Sequence, residues 1–175
     1  MKRKLLILIS AFFLLSVTER RSMEWHPDLQ LKWRNFEGDV PDNSLHDAET
    51  HSGISFGWTC RGGYFNYDVK AYFYPEMSWH RGEPSDRLLE HERRHFDITE
   101  IYARKLRKVY SELRNGCAMS KEVLKEKANE VREAWREKQR EYDRETHHST
   151  DREAQAKWNA LIKAELKKLK PYALH

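Results

Sequence analysis

The hydrophobic pattern of this 175-residue chain changes period near residue 84, and that switch limits the fold more than any other feature. Before it, apolar residues alternate. Ile54, Phe56 and Trp58 fall on one face of a first segment, and Phe65, Tyr67, Val69, Ala71 and Phe73 on one face of a second. Both are rich in aromatic and β-branched residues, and Arg61-Gly62-Gly63 between them is a turn signal, so the spacing predicts a hairpin. Leu29, Leu31 and Trp33 supply a further candidate strand, and residues 38–44 read as a loop.

After Pro84 the apolar spacing becomes helical. Ser85 or Asp86 caps a first helix, with a stripe of Leu88, His91, His95, Ile98, Tyr102 and Leu106, and Asn115-Gly116 ends it. Ser120 caps a second, with Leu124, Ala128, Val131, Trp135 and Tyr142 on one face. A polar break over residues 144–150 follows. Thr150 or Asp151 then opens a third helix, which Pro171 stops. The expected fold class is α+β: a small antiparallel sheet followed by three long helices, with residues 23–175 forming one domain.

Residues 1–22 read as a signal peptide. Lys2, Arg3 and Lys4 precede an apolar run from Leu5 to Val17, whose thirteen residues fall short of the ~20 that span a bilayer. The expectation is export to the periplasm or beyond, with an ill-defined cleavage point and no membrane span in the remainder. Charge agrees. The formal +4 falls to +1 without the first eighteen residues, which remove three of 32 basic groups and leave 29 against 28 acids. That balance argues against a nucleic-acid partner. Cys60 and Cys117 allow one disulfide or two buried thiols.

The first helix carries His91-Glu92-x-x-His95. At about 100° per residue the two imidazoles point within ~40° of each other, so both reach one ion. They interrupt an apolar stripe, where unpartnered histidines are costly to desolvate and a metal satisfies both. Glu92 lies beside the ion without being needed as a ligand, the place of a general base. A catalytic zinc needs a third protein ligand and an open position. Glu100 falls on the opposite side of the helix, and Glu130 has no distinguishing neighbours. The polar break, with Tyr142, Asp143, Thr146, His147 and His148, is the better source, and the residues alone leave His147 and His148 even.

The sequence resembles the bacterial family described as predicted secreted zinc-dependent proteases. The residues that carry the likeness are His91-Glu92-x-x-His95-Phe96-Asp97-Ile98, Tyr142-Asp143-x-x-Thr146-x-His148 and Gln155-x-x-Trp158. Leu31-x-Trp33, Phe36-x-Gly38 and Ser78-Trp79 upstream also match its pattern. The resemblance implies a zincin-like arrangement in which His91, His95 and His148, not His147, hold Zn²⁺. Ser149 departs from the glycine of many members, which bears on the loop's backbone angles.

On that reading the expected function is a zinc-dependent metallopeptidase acting on a peptide or protein substrate, with Glu92 as general base. Tyr142 is a candidate donor to the developing oxyanion, against the reading of a core aromatic. Asp143 is a candidate for orienting a ligand from behind, whereas Asp97 points away from the metal face. The segment Val69–Trp79 offers an edge for an extended peptide. Two rivals stand beside this. Glu92-x-x-His95 and Glu145-x-x-His148 match the pairs of di-iron bundles. The other is a non-catalytic envelope binding or scaffold protein with a structural or vestigial metal site.

Overall fold

A computed structural model describes residues 21–174. Nearly all of the signal-peptide reading therefore lies outside the described residues.

The chain order is β1 (Met23–Glu24), β2 (Ala48–Glu49), β3 (Ser52–Arg61), β4 (Tyr64–Phe73), β5 (Trp79–His80), α1 (Asp86–Ser111), α2 (Lys121–Thr146) and α3 (Arg152–Lys168). The α+β class and the order of sheet before helices are as the periodicity predicts. The expected hairpin is β3–β4, antiparallel, with Ile54 opposite Ala71 and Phe56 opposite Val69. Gly62 and Gly63 make its two-residue turn with φ of 58° and 82°, the backbone such a turn requires at both positions. β1 pairs with the other edge of β4, and β2 and β5 form a separate two-stranded sheet.

Two expectations about strands are corrected. Leu29–Trp33 is not a strand. The Lys32 N–H is taken by the Asn35 side chain at 2.8 Å, and Trp33–Asn35 winds into a 3-10 turn. Leu31 still reaches the core, 1 % exposed. Val69–Trp79 is not a free edge either. β4 is the central strand, with Phe73 paired to Met23 on one side and Ser52 on the other, and Trp79–His80 is taken by β2.

Ser85 and Ser120 cap α1 and α2 by accepting from Leu88 N–H and Val123 N–H, and Asp151 caps α3 by accepting from Ala154 N–H at 2.9 Å. α2 runs to Thr146, into the expected polar break. Thr146 is fully buried, its hydroxyl donates to the Tyr142 carbonyl at 2.7 Å, and the break shrinks to the turn at His147–Thr150. α1 lies between two apolar clusters. Leu89, Phe96, Ala103, Leu106 and Tyr110 meet the β4 face of Val69, Ala71 and Phe73. Ile98, Ile101 and Tyr102 meet Tyr142, Trp158 and Ile162 from α2 and α3. A helix covered on both sides must bury its polar residues as well, and this positions the site. Cys60 and Cys117 are disulfide-bonded, with Cα atoms 5.7 Å apart, tying the hairpin to the turn between α1 and α2.

Candidate metal centre

His91 and His95 stand one turn apart on the inner face of α1. Their Nε2 atoms are 3.2 Å apart and their rings nearly perpendicular, at 87°. α2 brings Asp143 to them from across the helix pair: its Oδ1 is 3.1 Å from His91 Nε2 and 2.9 Å from His95 Nε2. Burial opposes ionisation of Asp143, but the hydrogen bonds from both histidines outweigh it and hold the carboxyl well below the usual range. Burial likewise pulls the His95 pKa down, and the bond and charge of Asp143 overcome it, raising the pKa to about 9.

These three donors form the group able to hold a metal ion among the described residues, mutually within 4.8 Å. Their chemistry fits one. Two imidazole nitrogens and a carboxylate oxygen converge on a point that must contain positive charge, whether a proton or a divalent cation. Glu92 adds a second sign. It is 3 % exposed, and its Oε2 is buried with no hydrogen-bond partner among the described residues. An orphaned carboxylate oxygen costs on the order of 1–3 kcal/mol or more and calls for a function.

His148 follows α2 in a run of left-handed backbone, with φ of 45°, 51° and 73° at His147, His148 and Ser149. This turn aims His148 back at the site. Its Nδ1 lies 3.6 Å from the same Asp143 oxygen, and its ring packs on His46 at 4.6 Å. Burial lowers its pKa, against the pull of Asp143, which favours the neutral, ligating form. His147 points outward, 73 % exposed, toward Asp151. His148 is thus in the cleft and His147 is not, yet the oxygen of Asp143 sits closer to the two α1 histidines than His148 does.

The structure places Tyr142 beneath the site, not in it. Its ring stacks on His91 at 4.5 Å and meets His95 edge-on at 4.9 Å. Its hydroxyl accepts from Gln155 Nε2 at 2.7 Å and donates to the His91 carbonyl. Burial pushes the phenol far above its ordinary pKa, and no part of it lines the cleft. The expected oxyanion donor is therefore the floor of the histidine pair. The di-iron pairing also fails geometrically, because Glu145 turns to the Trp158 indole at 2.9 Å and His148 is outside the helix.

Sequence reasoning passed over Gln139 and the donor role of Asp143, and gave Gln155 a place in a motif but no role. Gln155 Oε1 is 3.1 Å from His91 Nδ1, and Gln139 Oε1 is 2.7 Å from His95 Nδ1. Gln139, Asp143 and Thr146 recur at i, i+4 and i+7 along α2, so polar residues at helical spacing marked this inward face.

The centre opens onto a cleft of about 1220 Å³. One wall is the β2 region, residues 45–52, and the other is α2 at Trp135, Gln139 and Arg140. Thr50 fastens the first wall to α1 by donating to the Glu92 carbonyl at 3.2 Å, and Leu45 stands 97 % exposed at its rim. Glu49 and His51, 3.0 Å apart, face the same space.

Residues 75–149 match the family model described as "Bacterial protein of unknown function (DUF922)". No curated protein and no solved structure matches the chain. The matched stretch contains His91, Glu92, His95, Gln139, Tyr142, Asp143 and His148, and the first two of the three motifs that carry the sequence resemblance; Gln155-x-x-Trp158 lies beyond it. Over the segment that carries the candidate metal centre, the chain is similar to this bacterial family of unknown function.

Proposed function

We propose that the protein is an exported zinc-dependent metallopeptidase of zincin-like design. The observation that carries this reading is Glu92, whose Oε2, without a hydrogen-bond partner among the described residues, is buried beside the His91–His95–Asp143 group at the foot of an open cleft. A zinc ion held by His91 and His95, with Asp143 or His148 completing the set, would supply the Lewis acidity that acidifies a water and polarises a carbonyl. Glu92 Oε2 accepts the water's proton and later delivers it to the leaving amine. Tyr142 holds the His91 ring from below, so the imidazole keeps its aim as charge develops. An extended peptide would lie along the β2 wall, where Leu45 offers an apolar contact. The disulfide supports an oxidising compartment, and among the described residues no helix is long and apolar enough to cross a membrane.

The test is a metal analysis paired with a peptide-library digest. Wild type should carry about one zinc per chain and cleave. Glu92→Gln should keep its zinc and lose at least ~10²-fold of the activity, the low end for general-base catalysis. Loss of zinc from that variant would make Glu92 a ligand. Full activity with zinc retained would remove it as the base.

A second reading, a non-catalytic envelope binding or scaffold protein, is favoured by one observation. The Asp143–His95 pair can close the site on a proton alone, since it holds His95 protonated up to about pH 9. Zinc-loaded wild type that cleaves nothing across a broad library would support that reading.

A further inference from the structure

We infer that Gln139 and Gln155 act as a pair of neutral locks that fix both histidine tautomers and so create the metal-accepting face of the site. The inference rests on the metal reading above.

Each amide has only one orientation that its surroundings accept. Gln139 Nε2 donates to the His95 carbonyl at 2.9 Å and to Thr99 Oγ1 at 3.2 Å. Thr99 Oγ1 donates to that carbonyl as well, and receives the Trp135 indole N–H at 3.1 Å. Turned over, the Gln139 oxygen would face the carbonyl oxygen. Gln139 Oε1 is therefore committed to His95 Nδ1, 2.7 Å away, and being an acceptor it requires a proton there.

Gln155 is fixed by a second, separate chain. Its Nε2 donates to the Tyr142 hydroxyl at 2.7 Å and to Asn159 Oδ1 at 3.0 Å. Asn159 Oδ1 must be the acceptor because Arg94 Nε also donates to it, while Asn159 Nδ2 donates to Glu90. Arg94 is held in turn by Glu90 and Asp97. Gln155 Oε1 thus accepts from Nδ1–H of His91, 3.1 Å away. Gln155 is 4 % exposed and His91 2 %, so water does not substitute for either partner.

With Nδ1 of both rings protonated and held by an amide, the two Nε2 atoms that face each other and Asp143 are the ones that exchange a proton shared with Asp143 for a metal ion. Were a ring to flip its proton to Nε2, it would lose its buried amide acceptor. Metal-binding histidines are commonly backed by carboxylates, which add negative charge and make the ring more basic. Here both backing groups are neutral, so they set direction and leave the charge at the site to Asp143 and Glu92. Gln139 and Gln155 touch no substrate and are positioning residues.

The experiment uses the full mature chain and zinc alone. Zinc affinity is measured by competition with a chromophoric chelator for wild type, Gln139→Leu, Gln155→Leu and the two glutamate variants, with folding checked by circular dichroism. ¹⁵N-edited NMR of the zinc-loaded protein reads the exchange of the ring N–H protons. Wild type should show slowly exchanging Nδ1 protons on His91 and His95. Each leucine variant should keep its fold, weaken zinc binding by about 10–100-fold, and expose the Nδ1 proton of its own histidine alone. Gln→Glu, which keeps the acceptor, should recover most of the affinity. Leucine variants that bind zinc within twofold of wild type, or ring protons that exchange quickly in wild type, overturn the inference. So does a glutamate variant as weak as its leucine counterpart. If wild type itself takes up no divalent zinc, the metal reading falls, and the role of the locks falls with it.

Discussion

Two buried polar clusters sit on α1, and they are built on opposite plans. In the second half of the helix, Glu100 is 2 % exposed and every oxygen is matched. Oε1 accepts from Arg104 Nε at 2.8 Å and Arg107 Nη1 at 3.0 Å, and Oε2 accepts from Arg107 Nη2 at 3.2 Å. The arginines then reach the carbonyls of Leu166, Val69 and Tyr172, each within 2.9 Å. That cluster joins sheet, α1 and the C-terminal turn, and leaves nothing open. In the first half, Glu92 is as deeply buried, but one of its oxygens has no partner among the described residues, and three donors converge beside it. A closed network holds a fold together, whereas an open one stores a demand that only a ligand or a reaction meets. This difference separates Glu100 from Glu92, although both are buried glutamates on one helix.

The largest effect that could break the contrast is Glu100→Ala. It strands two buried guanidinium groups and should destabilise the fold by about 3–5 kcal/mol in chemical denaturation. Glu92→Gln should leave stability within about 0.5 kcal/mol of wild type, because it removes no pairing. Similar losses from the two changes would erase the distinction.

Metal affinity sharpens the comparison next. Asp143→Ala and His148→Ala should each weaken zinc binding, the better ligand by at least ~10²-fold, and His147→Ala should leave it unchanged. Titration calorimetry ranks the three. If Asp143 matters more, the carboxylate closes the set; if His148 does, Asp143 orients it.

The turn that aims His148 carries a smaller stake. Ser149 has a φ of 73°, which a serine adopts only under strain. Ser149→Gly should raise the stability by up to about 1 kcal/mol in the same denaturation assay, offset in part by the greater freedom of the unfolded chain. A clear loss would mean that the buried serine side chain is worth more than the strain.

The smallest effect lies at the cleft rim. The His51 bond lowers the Glu49 pKa from 4.5, and Glu49 raises that of His51 from 6.5. The Glu49 contribution is present above pH 4.5 and is lost as pH falls through its depressed value. That of His51 is present below pH 6.5 and is lost as pH rises through its raised value. The pair therefore contributes fully only between about pH 4.5 and 6.5, and being half exposed it is worth less than ~0.5 kcal/mol. Thermal melts of Glu49→Gln against wild type across pH 4–8 should differ most inside that window.

Local pattern was a good guide where the physics is local. The period-2 run and Gly62-Gly63 specify the β3–β4 hairpin, and Ser85, Ser120 and Asp151 announce three helix starts, because turn and cap geometry depend on neighbours in sequence. The juxtaposition of His91 and His95 follows in the same way from helical pitch. Leu29–Trp33 misled because one side-chain bond, from Lys32 N–H to Asn35, won over strand propensity.

What spacing within one helix implies, the sequence by itself determined: two histidines and a glutamate on one inward face of α1. The tertiary structure alone decided what meets them. Asp143, Gln139 and Gln155 arrive from α2 and α3, 44 to 64 residues away, at atoms selected by how three helices rotate and pack. The same packing turned Tyr142 from a candidate donor into the floor of the site, since a stripe residue points wherever the partner helix leaves room. Helical pitch is a property of the backbone, readable from any stretch of chain; the rotation of one helix against another is the outcome of all the side chains between them.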